Sequence, residues 1–292
     1  MSIFLVDAFT DRQFTGNTAG VVLDAERFSR QMKQQIAAEL KASETVFASQ
    51  IESNVFQAEF FTPVTEVDFC GHATVALFHT LAAQRKIDLS SGTIELFEQT
   101  KAGTFLITVK ASGNEIVVSM KQTKSQFAPA LCSISEIAAA LCLPVEGLAP
   151  DYPIGLAKTG NWHLIVAVKS RDYLNQINYD TVALSKILNR AQAVTAHVFY
   201  DAGGNVFHAR NFGPTVGIIE DPATGSAAGA FGAYLAHEGL IADGDHAFHI
   251  VQGEQMGRIS HINLNVSCQD RQMQQAEISG TAIATFQLVS AL

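Results

Sequence analysis

The sequence has few charged residues and lacks the patterns that mark several common classes of protein. Charged residues make up 16% of its 292 positions, against about 25% in an ordinary soluble domain. No stretch of about 18 uncharged apolar residues is present, so we predict no membrane-spanning helix. The first residues enter an apolar strand without a basic segment before it, so they do not resemble a signal peptide. These absences predict a cytoplasmic protein.

Cysteine is also scarce, and its spacing argues against two kinds of framework. The four cysteines form no CxxC pair and lie far apart, at Cys70, Cys132, Cys142 and Cys268. Such spacing predicts neither a disulfide framework nor a zinc site built from thiolates. Reduced thiols, as expected in a cytoplasm, are the simplest interpretation.

Charge and apolar content bear on the partners of the chain. The net charge of −9 argues against nucleic acid or an anionic membrane as the main partner. A small anionic substrate remains compatible with it, because a local site can be positive within an acidic protein. Apolar residues make up 48% of the chain. Together with the low charge, this predicts either a large core or a surface covered by a second subunit, and we expect a homodimer.

A short pattern that occurs twice is the most informative feature present. Gly71-His72-Ala73-Thr74-Val75-Ala76 matches Gly225-Ser226-Ala227-Ala228-Gly229-Ala230 at an offset of 154 (225 − 71). Upstream, residues 56–63 match residues 207–214 at an offset of 151 (207 − 56). A strand, a loop and a helix start therefore recur, which predicts two pseudo-symmetric halves. Two such halves can face each other across a cleft and point both helix N-termini at one ligand.

The composition of the repeated helices predicts the fold class. Both helices are apolar nearly all round, which is typical of a helix buried on every face. Many short strands flank them without regular alternation, so we predict an α+β fold rather than a doubly wound one. Each half is expected to be a curved mixed sheet wrapped around a central buried helix. We place the N-terminal half at residues 1–122, joined by a C-terminal strand from about 276–292, and the C-terminal half at residues 123–275.

Each central helix begins at a small segment that contains glycine and polar residues. The segments are Cys70-Gly71-His72 and Thr224-Gly225-Ser226. Glycine lets a ligand approach the backbone closely, and the free N–H groups of a helix start favour a carboxylate or a developing oxyanion. A single glycine of this kind is more often only a turn into a buried helix. Two in register, each with polar neighbours, favour a binding role.

Acidic residues stand near both starts. Glu44 lies between a helix and a strand, Asp68 precedes Cys70, and Asp221 lies four positions before Gly225. Burial in an apolar cleft disfavours the charged form of a carboxylate, so such a group can take and return a proton near neutral pH. For a glutamate taken at random, a solvated surface position is far more common.

Five segments of the chain have a specific order and spacing, although each alone would be modest. The segments are Ser43-Glu44-Thr45-Val46-Phe47, Phe61-Thr62-Pro63, Val67 to Thr74, Glu220 to Ala227, and Gly253 to Arg258. Together they resemble the phenazine-biosynthesis PhzF-like isomerase family, and the resemblance runs from Asp7 to the C-terminal strands.

The resemblance implies a fold similar to diaminopimelate epimerase, with the site between the halves. It implies that Glu44 is the acid/base that shuttles a proton. It also implies that His72, Asp221 and Ser226 contact the substrate, a small carboxylic acid, and that the backbone at Gly71 and Gly225 helps to hold it. We count His72 and Asp221 with Glu44 as catalytic residues, His72 as a hydrogen-bond partner or second proton relay and Asp221, like Ser226, as a residue that orients the substrate. No metal or organic cofactor is expected, and family members are commonly dimers. The family activity that this implies is relocation of a proton in a cyclohexadiene carboxylic acid.

The chain also departs from its relatives. Epimerases of this fold use two opposed cysteines, whereas this chain has Cys70 in one half and Thr224 at the equivalent place, so racemisation by two cysteines is not expected. We include both residues among those that bind substrate. In the second half, Ala196 is the residue that we match to Glu44, so the base is expected on one side only.

A strand position where relatives often carry arginine is occupied here by Glu59. Its counterpart in the second half, Arg210, fits the family pattern. The acidic residue argues against a substrate contact from this strand of the first half.

Other readings of the same residues are weaker. The string around Ser226 is not the G-x-S-x-G elbow of a serine hydrolase, and the nearby glycines do not form a dinucleotide fingerprint. His246 and His249 lack a third acidic ligand and are better explained as exposed loop histidines.

We therefore expect a cofactor-independent isomerase that moves a proton within a small, unsaturated or cyclic carboxylic acid. The alternative is a catalytically silent binding or dimerisation module on the same scaffold.

Overall fold

The computed structural model describes residues 2–113, 115–122 and 124–289. Contacts between Cα atoms divide the chain into unit 1, Met1–Lys121 with Ser279–Leu292, and unit 2, Gln122–Ile278. Position 123, where the sequence places the start of the second half, lies outside the described residues. Among the described helices, none is both long and apolar enough to span a membrane.

Unit 1 is a mixed sheet with one long helix packed against it. Its helices are α1 (Arg30–Leu40) and α2 (Gly71–Ala83). Its strands are β1 (Ser2–Ala8), β2 (Asn17–Leu23), β3 (Glu44–Glu52), β4 (Val55–Phe61), β5 (Glu66–Val67), β6 (Thr93–Thr100), β7 (Gly103–Ser112) and β8 (Glu115–Lys121), with β18 (Ala282–Val289) from the end of the chain.

Unit 2 repeats this design with additional helices. The helices are α3 (Ile134–Ala140), α4 (Arg171–Gln176), α5 (Thr181–Ala191) and α6 (Gly225–His237). The strands are β9 (Gln126–Pro129), β10 (Gly155–Lys158), β11 (Trp162–Ala167), β12 (Thr195–Gly203), β13 (Val206–Gly213), β14 (Ile218–Asp221), β15 (Gly244–Gln252), β16 (Ser260–Gln269) and β17 (Gln272–Gly280), whose last residues belong to unit 1.

Strand pairing follows the same succession in both units. In unit 1, β18, β1 and β2 pair antiparallel, β2 and β3 parallel, β3 and β4 antiparallel, β4 and β6 parallel, and β6, β7 and β8 antiparallel. In unit 2, β9, β10 and β11 pair antiparallel, β11 and β12 parallel, β12 and β13 antiparallel, β13 and β15 parallel, and β15 and β16 antiparallel. The predicted α+β fold of two pseudo-symmetric halves is thus confirmed.

The two long helices are buried as their composition predicts. Each has 13 residues, and most of its side chains are excluded from solvent. Helix α2 packs against β1, β2, β3, β8 and β18 within unit 1, and α6 packs against β9, β10, β11 and β16 within unit 2. A helix buried on several sides needs apolar residues all round, because no face is left for polar ones.

Strand register corrects one residue match made from the sequence. Thr45 pairs with Phe61 in unit 1, and Ala196 pairs with Phe212 in unit 2. Since the two phenylalanines are equivalent in the repeat, Ala196 corresponds to Thr45. The counterpart of Glu44 is therefore Thr195, and the match to Ala196 was wrong by one residue. A shift of one residue in a strand turns every side chain to the other face, so the distinction matters.

Candidate active site

The start of α2 lies beside the first residues of two parallel strands. Ala19 of β2 is in register with Glu44, the first residue of β3. Cys70 precedes α2 in an extended conformation, and its side chain makes no capping hydrogen bond to the first turn. Strand β3 begins at Glu44 and helix α2 begins at Gly71, and the side chains at these two boundaries lie close together.

Three of the predicted site residues in unit 1 form a cluster. The Nε2 atom of His72 is 3.3 Å from Oε2 of Glu44, and the Sγ atom of Cys70 is 3.4 Å from Nδ1 of His72. His72 is 7% exposed and Cys70 is 9% exposed, while the Glu44 side chain keeps 15% of its surface in solvent. The carboxylate is thus sheltered but reachable, as an acid/base must be.

Two residues that the sequence analysis did not assign orient the imidazole. The amide nitrogen of Asn17 is 3.2 Å from Nδ1 of His72, and the Ser43 hydroxyl donates to Oδ1 of Asn17 at 3.4 Å. An amide nitrogen can only donate, so in the neutral ring Nδ1 accepts and Nε2 carries the proton. That N–H then faces Glu44 and the Ser43 oxygen, which is 3.1 Å from Nε2.

Gly71 is not required by packing within unit 1. A methyl group added at its Cα would meet only the Met120 side chain, at an ordinary 3.5 Å. The absence of a side chain there leaves the first turn of α2 open to close approach, which is what an anion-holding role for the helix start would use.

A buried carboxyl group lies on the other side of the same helix turn. Glu98 on β6 is fully buried, and the Thr74 hydroxyl lies 2.9 and 3.1 Å from its two oxygens. The same hydroxyl is 3.0 Å from the carbonyl oxygen of Cys70. Burial raises the pKa of Glu98 to about 8, so it is a neutral acid at pH 7. The sequence signal for it is the alternation along β6, which places Glu98 on the inward face with Leu96.

The start of α6 in unit 2 presents hydroxyl groups where α2 presents a thiol and an imidazole. Thr224 precedes the helix as Cys70 does, and Ser226 is its second residue as His72 is of α2. The Thr224 hydroxyl donates to Oδ2 of Asp221 at 2.5 Å. The buried amide of Gln252 donates to the Asp221 carbonyl at 2.7 Å and to the Thr224 oxygen at 3.0 Å. Asp221, Thr224 and Gly225 are thereby held in one loop.

The counterpart of Glu44 in unit 2 belongs to the core. Thr195 is buried and donates to Oδ1 of Asn211 at 2.9 Å, with Nδ1 of His163 at 2.7 Å. Burial lowers the pKa of His163 to about 3 and that of the neighbouring His197 to about 4, so both stay neutral. No carboxylate occupies this position. The prediction of an acid/base in unit 1 alone is therefore the same whether Ala196 or Thr195 is matched to Glu44.

The equivalent strand residues Glu59 and Arg210 each have an ion-pair partner. Glu59 forms an ion pair with the buried Lys33 within unit 1. Arg210 makes a two-pronged ion pair with Glu220, at 2.9 and 2.7 Å, and also donates to two backbone carbonyl groups. Each of these two side chains is therefore held by an ion pair within its own unit.

Comparison with known proteins defines the class and then the family. The family model described as "Phenazine biosynthesis-like protein" (PhzC-PhzF) matches residues 6–287. The chain is 34% identical over 294 residues to an uncharacterized isomerase, YddE, of Salmonella typhimurium, covering 97% of this chain and 96% of that protein. It is 30% identical to the trans-2,3-dihydro-3-hydroxyanthranilate isomerase of Pseudomonas chlororaphis, covering 96% and 95%. The chain is therefore an isomerase.

Solved structures agree with this class. The Bacillus anthracis phenazine biosynthesis protein of the PhzF family superposes with a TM-score of 0.90 at 30% identity, covering 100% of this chain and 99% of the other. A protein described as a probable proline racemase of Agrobacterium radiobacter K84 shares the fold alone, with a TM-score of 0.68 at 11% identity, covering 100% and 93%. The chain belongs to the phenazine biosynthesis-like (PhzC-PhzF) family, as the resemblance predicted.

Several expectations go beyond these findings. A shared cleft for the two helix starts, the roles of individual site residues, the homodimer and the cytoplasmic location stay predictions.

Proposed function

We propose that the chain relocates a proton within a small unsaturated or cyclic carboxylic acid, with Glu44 as the single acid/base. The contact between the Glu44 carboxylate and Nε2 of His72 is the observation that carries the proposal. In the neutral imidazole, Nε2 carries a proton that holds the carboxylate in place. A base oriented in this way loses little entropy on reaching the reactive C–H.

The proton transfer balances without a redox partner. Glu44 takes a proton from a carbon that conjugation has made acidic, and the electron pair spreads into the conjugated system of the substrate. The resulting carboxylic acid then gives the proton to a different carbon. General acid–base action contributes about 10²–10⁴ to the rate, so electrostatic holding of the anion must supply much of the remainder.

Holding the substrate is proposed for the helix starts. The N-terminal turns at Gly71 and Gly225 present backbone N–H groups suited to a carboxylate. Asp221, Thr224 and Ser226 are proposed to orient polar groups of the substrate, with Cys70 lining the start of α2. The Gln252 amide donates hydrogen bonds to Asp221 and Thr224, which would keep this loop rigid.

The substrate class is proposed from the relatives. The Pseudomonas chlororaphis relative is named for isomerisation of trans-2,3-dihydro-3-hydroxyanthranilate, a cyclic unsaturated carboxylic acid. A substrate of that chemistry would offer the three features that the proposed mechanism uses: an acidic C–H, a conjugated system and a carboxylate.

Deuterium exchange tests the proposal. The chain is incubated in heavy water with trans-2,3-dihydro-3-hydroxyanthranilate and a panel of small unsaturated acids, and mass spectrometry follows deuterium at carbon. We expect uptake with at least one acid, and a rate about 10²–10⁴-fold lower for Glu44→Gln. Glu52→Gln is the matched control, because Glu52 lies on the same strand but is exposed.

Two outcomes would contradict the proposal. Exchange that persists in Glu44→Gln would place the base elsewhere. Saturable binding of an acid without exchange in the wild type would favour the silent binding module instead.

A further inference from the structure

The three clustered side chains of unit 1 have the chemistry of a ligand set for a soft divalent cation. Thiolate, imidazole and carboxylate are the three ligand types that zinc takes in proteins. The ligand atoms of Glu44, Cys70 and His72 all lie within 4.8 Å of one another. Among the described residues, no other group of three or more such side chains is as close.

One pair of ligand atoms already has the spacing that a tetrahedral ion requires, and the third ligand is close by. With Zn–S of about 2.3 Å and Zn–N and Zn–O of about 2.0–2.2 Å, tetrahedral angles place S and N about 3.6 Å apart and N and O about 3.4 Å apart. The observed separations are 3.8 Å from Sγ of Cys70 to Nε2 of His72 and 3.3 Å from Nε2 to Oε2 of Glu44. The Nε2–Oε2 pair thus already has tetrahedral spacing. Sγ of Cys70 lies nearer Nδ1, at 3.4 Å, so the Cys70 side chain must turn toward Nε2 to join an ion held there.

Charge and hydrogen bonding also suit a bound cation. A thiolate and a carboxylate together carry two negative charges, which a divalent ion neutralises. Coordination through Nε2 of His72 moves the ring proton to Nδ1, where it needs an acceptor. Rotation of the Asn17 amide would offer Oδ1 to that proton, and the Ser43 hydroxyl can accept as well as donate. The partners that orient the imidazole thus serve both tautomers.

We propose that Glu44, Cys70 and His72 reversibly bind a thiophilic divalent cation of the zinc class, and that the bound ion inhibits the isomerase. Three protein ligands leave the fourth tetrahedral position for water. The ion inhibits because it occupies the carboxylate oxygen that would accept the substrate proton. The inhibitory part rests on the proposed function, whereas binding of the ion does not.

Cobalt titration tests the binding part without any substrate. Co²⁺ replaces Zn²⁺ in such sites, and a cobalt–thiolate bond gives a charge-transfer absorption in the near ultraviolet. We expect one site per chain in the wild type, displaced by added Zn²⁺. Cys70→Ser should abolish the absorption and weaken Zn²⁺ binding by at least about 100-fold, since loss of even an outer partner typically costs 10–100-fold. Glu44→Gln should weaken binding while keeping the absorption.

Cys142→Ser is the matched control for cobalt titration, because Cys142 is an exposed thiol outside the cluster. It should bind cobalt like the wild type. No absorption in the wild type, an unchanged signal in Cys70→Ser, or a signal lost in Cys142→Ser would each overturn the metal site. Circular dichroism of each variant shows that it is folded, and Glu44→Gln provides a second test should Cys70→Ser unfold.

Deuterium exchange tests the inhibitory part separately. With an acid that the wild type exchanges, Zn²⁺ should suppress uptake in the wild type and in Cys142→Ser over the concentrations that displace cobalt, and a chelator should restore it. Metal binding by the wild type without suppression of exchange would overturn the inhibition alone. Absence of exchange with every acid would count against the proposed function, and the cobalt result would still decide the metal site.

Discussion

The starts of α2 and α6 share a backbone design and differ in chemistry. Each follows an extended residue whose side chain makes no capping hydrogen bond, and each has glycine as its first helical residue. In unit 1 the neighbouring side chains are a thiol, an imidazole and a carboxylate. In unit 2 they are the hydroxyl groups of Thr224 and Ser226, with Asp221 tied to the loop.

The difference is clearest at the first residue of two equivalent strands. Glu44, the first residue of β3, contacts His72 at the start of α2. Thr195, the first residue of β12, belongs to a buried hydrogen-bond network with His163 and Asn211. Proton transfer is thereby proposed for one unit and substrate holding for the other. A single carboxylate can remove a proton and return it, whereas two opposed bases favour transfer from one face to the other.

Replacing the counterpart of the base should damage stability and spare proton transfer. Thr195→Val removes a hydroxyl that serves both His163 and Asn211, and it leaves their buried atoms unpaired. We expect the free energy of unfolding to fall by about 1–3 kcal/mol, measured by urea denaturation. Deuterium exchange should continue in the folded protein. Loss of exchange with unchanged stability would break the comparison.

Glu98 makes unit 1 sensitive to pH. Its raised pKa means that the folded chain keeps a proton, up to about pH 8, that the unfolded chain has released. Stability should therefore fall as pH rises, by at most about 1.4 kcal/mol per pH unit from this group. Burial lowers the pKa values of the buried histidines, so below about pH 6.5 they make stability rise as the pH rises.

The pH range from 6.5 to 8 isolates the carboxyl group. Between these pH values the free energy of unfolding of the wild type should fall by up to about 2 kcal/mol, and that of Glu98→Gln should not show this fall. Urea denaturation at several pH values measures both. Glutamine keeps the shape and an acceptor for the Thr74 hydroxyl. A variant with the same slope as the wild type would contradict the assignment.

Sequence reasoning found the repeat and most of the polar cluster, and it missed what depends on register. The two buried helices follow from local pattern and are confirmed. The counterpart of Glu44 was misplaced by one residue because local sequence does not show which residues of two neighbouring strands pair.

The residues that support the site were harder to foresee. Asn17 begins β2 and Ser43 precedes β3, at element ends whose sequence fits many roles. Only their shared contact with His72 shows what they do. Glu98 sits in a strand that reads as an ordinary alternating one. The alternation indicates its inward position, but the Thr74 hydroxyl that contacts it belongs to α2, which the pattern of β6 does not specify.

Loosening the unit 2 loop should weaken substrate holding. Thr224→Val removes the donor to Asp221 and the acceptor for Gln252. We expect KM for the exchanged acid to rise about 5–10-fold, roughly 1 kcal/mol, with kcat little changed. Steady-state exchange kinetics measure both constants. A fall in kcat equal to that of Glu44→Gln would assign chemistry to unit 2.

The smallest effect is expected from the support of the imidazole. Ser43→Ala removes a partner of Asn17 and of His72 while leaving Glu44 in place. The exchange rate should fall a few-fold because the tautomer of His72 is less well fixed. Ser49→Ala, on the strand that follows Ser43, is the control. An unchanged rate would leave Ser43 without a positioning role.

The kinetic constants of two matched variants, Glu44→Gln and Ser226→Ala, test the division of work most directly. Exchange in heavy water is followed for both across a range of acid concentrations. The account predicts a kcat at least 100-fold lower for Glu44→Gln, and for Ser226→Ala a higher KM with kcat within a few-fold of the wild type. Equal losses of kcat in the two variants, or a normal kcat in Glu44→Gln, would contradict it.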